Sequence, residues 1–194
     1  MADMVYCYPE SNVLINKLDI KEQDRFESFE RRLTMLRLLE LIDKSLKGNY
    51  DFKHLQSIHY YIFQDLFDWA GIVRTVDIAK GNVFCKAMFI NDQAEVIFQK
   101  LRKERYLADL SQEELVTRLA YYFSEINALH PFREGNGRSQ REFIRSLALK
   151  NGYIINYANS SKEEMILASQ RSFLCDYKPM EELLKKCIRR QNTF

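Results

Sequence analysis

Apolar residues recur at steps of three and four along most of this chain, the period of a helix with one buried face. Over 23–47 the stripe is Phe26, Phe29, Leu33, Leu36, Leu39, Ile42 and Leu46, and Gly48 with Asn49 ends it. Over 52–69 it is Leu55, Ile58, Ile62, Phe63 and Leu66, with a stop near Gly71. Asn91 predicts a cap for a helix over 92–107. Ser111 and Glu114 have the spacing of a capping box, which opens a helix through Leu115, Leu119, Phe123 and Ile126 to about Leu129. A helix from near Arg138 runs through Phe143, Ile144 and Leu147 to a stop at Asn151 and Gly152. Ser161 with Glu164 opens another, and Pro179 at a first-turn position opens the last, over 178–191.

The period changes once. Residues 73–78 and 83–89 are rich in β-formers and flank Lys80, Gly81 and Asn82, which predicts a short hairpin turning at Gly81 and Asn82. Because an isolated hairpin is only marginally stable, it must lean on the helices. The expected architecture is all-α, with about seven or eight helices and one small β-hairpin. One domain spans 1–194, with a core of about 50–175, an N-terminal helical extension over 1–49 and the C-terminal helix.

Composition adds boundaries rather than function. With 194 residues, 46% of them hydrophobic, and only 6 Gly and 3 Pro, the chain can bury a sizeable core and is not of disordered composition. A net charge of +2 argues against direct nucleic-acid binding. Lys100, Arg102, Lys103 and Arg105 read as a solvated helix face, interrupted by Glu104 and Asp109. The four cysteines have no zinc spacing, the N-terminus does not resemble a secretory signal, and no apolar run approaches the ~20 residues that span a bilayer. The expectation is a cytoplasmic protein with free thiols.

The chemistry is concentrated in residues 130–141, His-Pro-Phe-Arg-Glu-Gly-Asn-Gly-Arg-Ser-Gln-Arg. Gly135 and Gly137 permit unusual backbone angles and let main-chain N–H groups approach a ligand. The loop enters a helix N-terminus, where unpaired N–H groups and the helix dipole favour an anion. Arg138 and Arg141 fall on one helix face and suit the phosphates of one nucleotide. Glu134 supplies the single carboxylate that Mg²⁺ needs when phosphates complete its shell. Asn136 can bond a phosphate or the loop itself. His130, at the end of the preceding helix, is placed to accept a proton from an attacking hydroxyl. Phe132 reads as core that pins the loop. Taken singly, each of these residues has an ordinary structural explanation, and it is their ordered coincidence between two amphipathic helices that points to a nucleotide site. The loop is neither a Walker A nor a dinucleotide fingerprint, since no Gly-Lys-Ser/Thr follows and no strand precedes it.

The run from His130 to Arg138, followed by Arg141, resembles the active-site signature of the Fic family. Residues 67–71 and 74–78 are similar to the segment leading into that family's flap. Residues 8–17 are similar to its toxin-type bacterial members. The resemblance implies a transferase moving AMP from ATP to a Tyr, Ser or Thr hydroxyl of a target protein. It makes His130 the base, Glu134 the Mg²⁺ ligand between the α- and β-phosphates, and Gly135, Asn136, Gly137 and Arg138 the anion hole. Arg141 would reach the γ-phosphate or orient the triphosphate. Asp77, Ile78, Lys80, Gly81, Asn82, Val83 and Phe84 would form the flap, taking the target as an added strand. Many members carry an inhibitory Ser/Thr-x-x-x-Glu-Gly/Asn helix. Here Ser160 and Glu164 are followed by Met165, so the expectation is a separate small antitoxin, with a type II DNA topoisomerase as the family-level target. The alternatives are transfer of another nucleotide, phosphate or phosphocholine group, and a non-catalytic regulator that binds through the same loop.

Overall fold

A computed structural model describes residues 5–80 and 82–191. Gly81, the centre of the expected turn, lies outside the described residues. Among the described residues seven α-helices follow one another: α1 Gln23–Asp43, α2 Phe52–Phe63, α3 Ile90–Lys103, α4 Gln112–Leu129, α5 Asn136–Lys150, α6 Lys162–Ser172 and α7 Lys178–Cys187. The hairpin pairs β1 Ala79–Lys80 with β2 Asn82–Val83, antiparallel, in register Ala79 to Val83 and Lys80 to Asn82. It is far shorter than the β-rich runs suggested, because Arg74 and Asp77 engage the backbone of these segments in place of a ladder. A second antiparallel pair, which periodicity missed, joins β3 Tyr153–Ile155 to β4 Ile188–Arg190. The expected C-terminal helix therefore stops at Cys187, and the chain then pairs along the segment that follows α5. No helix among the described residues is long and apolar enough to cross a membrane.

One apolar cluster runs from Tyr6 to Ile188 and includes the inner faces of α2, α4 and α5. Both predicted capping boxes form, at Ser111 with Glu114 and at Ser161 with Glu164. Helix α3 starts at Ile90, with Phe89 rather than Asn91 at its N-cap, and ends at Lys103 rather than 107. Helix α1 ends at Asp43 because Arg145 of α5 donates to the Leu41 carbonyl at 2.8 Å and the chain then crosses to α2, where His54 meets the Leu46 carbonyl. Helix α2 ends at Phe63, and residues 64–70 fold into tight turns closed by bonds such as Leu66 N–H to the Phe63 carbonyl.

Helix α1 also corrects the periodicity. Of the predicted stripe, Phe26 is buried, but Leu36, Leu39 and Ile42 are 58%, 51% and 60% exposed, and Phe29 is exposed too. The inward face carries Phe26, Glu30, Thr34 and Leu41. Apolar residues surround this helix, so its period could not select the buried side. A polar contact with α5 selects it, as described below.

Candidate active site

The loop 130–135 is held between α4 and α5 by its own side chains. His130 closes α4 with a left-handed backbone (φ 45°, ψ 60°), its N–H bonding the Ile126 carbonyl. Its ring stacks on Phe84, centroids 3.7 Å apart. Phe132 is buried, as expected, and stacks at 3.9 Å on His59. The Asn136 side chain turns into the loop: its Oδ1 accepts the Phe132 N–H at 2.9 Å and its Nδ2 donates to the Phe132 carbonyl at 2.7 Å. Of the two uses open to Asn136 in the sequence, the structure displays the loop brace.

Gly135 is required twice over. Its φ of 82° is left-handed, and a Cβ there would sit 2.2 Å from the Phe63 ring. It is the N-cap of α5 and offers no side-chain cap. In the first turn of α5 the Arg138 N–H turns back to the Gly135 carbonyl at 3.2 Å, and the Asn136 and Gly137 N–H groups thus remain for an anion. Arg141, one turn along, lies over this end, its Nη1 3.3 Å from where a Gly137 Cβ would stand. Burial lowers its pKa from the usual guanidinium value, with Arg138 adding to the effect. Among the described residues no carboxylate lies within ion-pair range of Arg141.

Arg138 is differently placed. Its guanidinium meets Glu30 of α1 at 2.5 Å, donates to the Thr34 hydroxyl at 3.1 Å and lies 4.7 Å over the Phe63 ring. Glu134 accepts the Gly135 N–H at 2.9 Å and is 3.9 Å from Arg138, with its side chain 35% exposed. These contacts surround a cavity of about 300 Å³ that Arg133, Glu134 and Arg138 share with Phe26, Glu27 and Glu30 of α1. A partly open carboxylate beside the N-terminus of α5 suits a hard cation whose remaining ligands are phosphate oxygens and water. No cluster of three or more His, Cys, Asp or Glu residues capable of holding a metal occurs among the described residues.

Three further residues hold this site, and the sequence assigned none of them a role, although Arg74 opens the segment 74–78 that resembles the lead into the family's flap. Fully buried His59 accepts the Gly71 N–H at Nδ1 (2.8 Å), so Nε2 carries the hydrogen and donates to the Glu134 carbonyl at 2.9 Å. Burial pushes its pKa down to about 4, keeping it neutral. Arg74, buried at 2% exposure, donates to the His130 carbonyl. Glu30 was hidden because it falls outside the predicted α1 stripe. The predicted flap residues lie alongside: Asp77 accepts the Ala87 N–H at 2.7 Å, and the Phe84 N–H bonds the Ile78 carbonyl. Val83 is exposed and Phe84 buried. Backbone pairing places Lys80 and Asn82 in the hairpin. Glu164, the nearest candidate for an inhibitory glutamate, instead pairs with Lys186.

A profile of the Fic/DOC family matches residues 49–148. The chain is 41% identical over 182 residues to the protein adenylyltransferase VbhT of Bartonella schoenbuchensis, covering 93% of this chain but 38% of that protein. It is 36% identical to the probable protein adenylyltransferase Fic of Escherichia coli, covering 94% of this chain and 91% of that one. Among solved structures, the Fic domain of a putative cell filamentation protein from Bartonella quintana with bound ADP superposes with TM-score 0.94 at 26% identity, over 99% of this chain and 98% of that one.

Proposed function

This chain belongs to the Fic/DOC family, and we propose that it is a protein adenylyltransferase, moving AMP from ATP to a Tyr, Ser or Thr hydroxyl of a target protein. The observation that carries this reading is Arg141. A half-buried guanidinium, without a carboxylate among the described residues, lies over the uncapped N-terminus of α5. Burying an uncompensated charge is costly, and a polyphosphate seated there would offset it.

His130, at the mouth of the loop, takes the proton of the acceptor hydroxyl as its oxygen attacks the α-phosphorus. Pyrophosphate leaves. The α5 N–H groups and Arg141 stabilise the charge that builds on the phosphate oxygens, the contribution expected to dominate in phosphoryl-type transfer. Arg138 holds the outer wall of the same site through Glu30 and Thr34. Mg²⁺, held by Glu134 and the nucleotide, would supply further neutralisation of that charge. The flap presents the target backbone, exposing Val83 and β2 to an added strand.

Restraint by a separate antitoxin fits the same geometry, since Arg141 has no carboxylate among the described residues and Glu164 is engaged by Lys186. A purified chain that is inactive alone, and is activated by changing Arg141 or trimming the C-terminus, would sink this part. A type II DNA topoisomerase is the target to try first. The test of the whole is incubation of wild type and His130→Ala with α-labelled ATP, Mg²⁺ and bacterial lysate. A labelled band carrying the mass of AMP, absent with His130→Ala, is the expected result. Label from another nucleotide but not from ATP would redirect the donor, and biological effect retained by His130→Ala would favour a binding protein.

A further inference from the structure

We propose that Arg74 is a positioning residue that fixes the flap and the base, His130, as one unit, so that the acceptor hydroxyl and the group that deprotonates it arrive in register. This rests on the adenylyl-transfer reading above. Arg74 is among the largest fully buried side chains of the molecule, and all three nitrogens of its guanidinium are committed to main-chain carbonyls. Nε donates to His130 at 2.8 Å, Nη1 to Val76 at 2.6 Å and Nη2 to Cys85. Its own backbone N–H bonds the Pro131 carbonyl at 2.9 Å, and the Cys85 N–H bonds the Ala128 carbonyl at 3.0 Å.

Those partners come from two places only. Ala128, His130 and Pro131 form the end of α4 and the entry to the loop. Val76 and Cys85 lie on the two legs of the flap, outside its four paired residues. The ring of Phe84, adjacent to Cys85, is the one that stacks on His130. A buried cation is a costly way to tie two loops if packing alone is needed, since an apolar side chain of similar volume fills space without desolvating a charge. What arginine adds is a planar fork whose donors point in fixed, divergent directions. That fork reaches both flap legs and the His130 carbonyl simultaneously. The left-handed backbone of His130 makes the third bond consequential, because this conformation is disfavoured for a residue with a Cβ and persists only when neighbours over-determine it. A lysine ammonium is a point charge on a flexible stem and cannot hold the three carbonyls in one plane.

The test compares the full chain with Arg74→Lys and Arg74→Met, where methionine keeps bulk without donors. ADP affinity is measured by calorimetry, amide hydrogen exchange at Phe84, Cys85 and His130 by mass spectrometry or NMR, and AMP transfer with α-labelled ATP and bacterial lysate. Arg74→Lys is expected to bind ADP within about threefold of wild type, because the hydrogen bonds of Arg74 go to His130, Val76, Cys85 and Pro131 and not to residues 134–141. Exchange should rise about tenfold or more at the flap and His130 amides together, with α5 unchanged. Transfer should fall about 100-fold or more in both variants. Transfer within about threefold of wild type in Arg74→Lys overturns the proposal. So does loss of ADP affinity in step with exchange across α5, or unfolding of both variants, since Arg74 would then serve the fold as a whole. If the wild type itself transfers no label, the adenylyl-transfer reading fails. The exchange arm still decides whether flap and base move as one.

Discussion

The loop 130–138 and the flap 76–89 meet where Phe84 stacks on His130, yet they are built in opposite ways. In the loop nearly every residue is fixed from more than one side. His59 and Phe132 stack, the Asn136 amide pairs with both backbone groups of Phe132, and Gly135 is wedged against Phe63. The flap has two residues per strand, an exposed Val83, and attachments through Arg74, Asp77 and the Cys85 N–H. The difference follows from what each must meet. Phosphates are alike in every substrate, so a site for them gains from preorganisation. On the proposed function, a protein target would arrive as a flexible segment, and a short edge strand would offer backbone bonds to it while specifying little else.

Four changes would break or sharpen that contrast. The largest effect is expected of His130→Ala. AMP transfer should fall by about 10²–10⁴-fold, measured with labelled ATP, while ADP affinity holds, because the base contributes to proton transfer rather than to nucleotide binding. Gly135→Ala should strike the rigid region itself. A Cβ 2.2 Å from the Phe63 ring, at φ 82°, should cost about 3 kcal/mol in urea unfolding and weaken ADP binding with it. Retained stability would mean that the loop yields.

The third change is in pH. The folded pKa of His59, about 4, lies below its ordinary value of 6.5, so the neutral form is the one the fold stabilises. Its contribution is complete above pH 6.5 and is lost as pH falls towards 4, reaching about 3 kcal/mol there. Urea midpoints of wild type and His59→Gln between pH 7 and 4 should converge as the pH drops. Parallel curves would contradict the assignment. The smallest effect is reserved for the flap edge. Val83→Thr keeps β propensity on an exposed position, so unfolding should shift by less than about 0.5 kcal/mol. Transfer to a protein target should change by no more than about tenfold, with no change in ADP affinity. A loss as large as that of His130→Ala would show the flap to be as tightly specified as the loop.

The loop was legible because its evidence is local. Histidine, glutamate, two glycines and two arginines stand within twelve consecutive residues, and the helices on either side declare themselves by period and, at Ser111 and Glu114, by a capping box. What lies far away in sequence was not. Glu30 and Thr34 reach Arg138 across more than a hundred residues, and they, rather than the stripe of Leu36, Leu39 and Ile42, choose the buried face of α1. A helix whose apolar residues are scattered around all its sides carries no period that distinguishes its faces. Arg74 and His59 look like ordinary residues of a strand and a helix until the fold encloses them, and the pairing of 153–155 with 188–190 joins segments that show no matching pattern. Local order, the helix inventory and the place of the candidate loop between α4 and α5 were determined by sequence, because capping and dipole effects act over one turn. Tertiary structure alone decided which polar groups are desolvated, which face of α1 turns inward and what fixes His130. Those outcomes depend on which distant carbonyls and carboxylates arrive as partners, and a buried donor must find one.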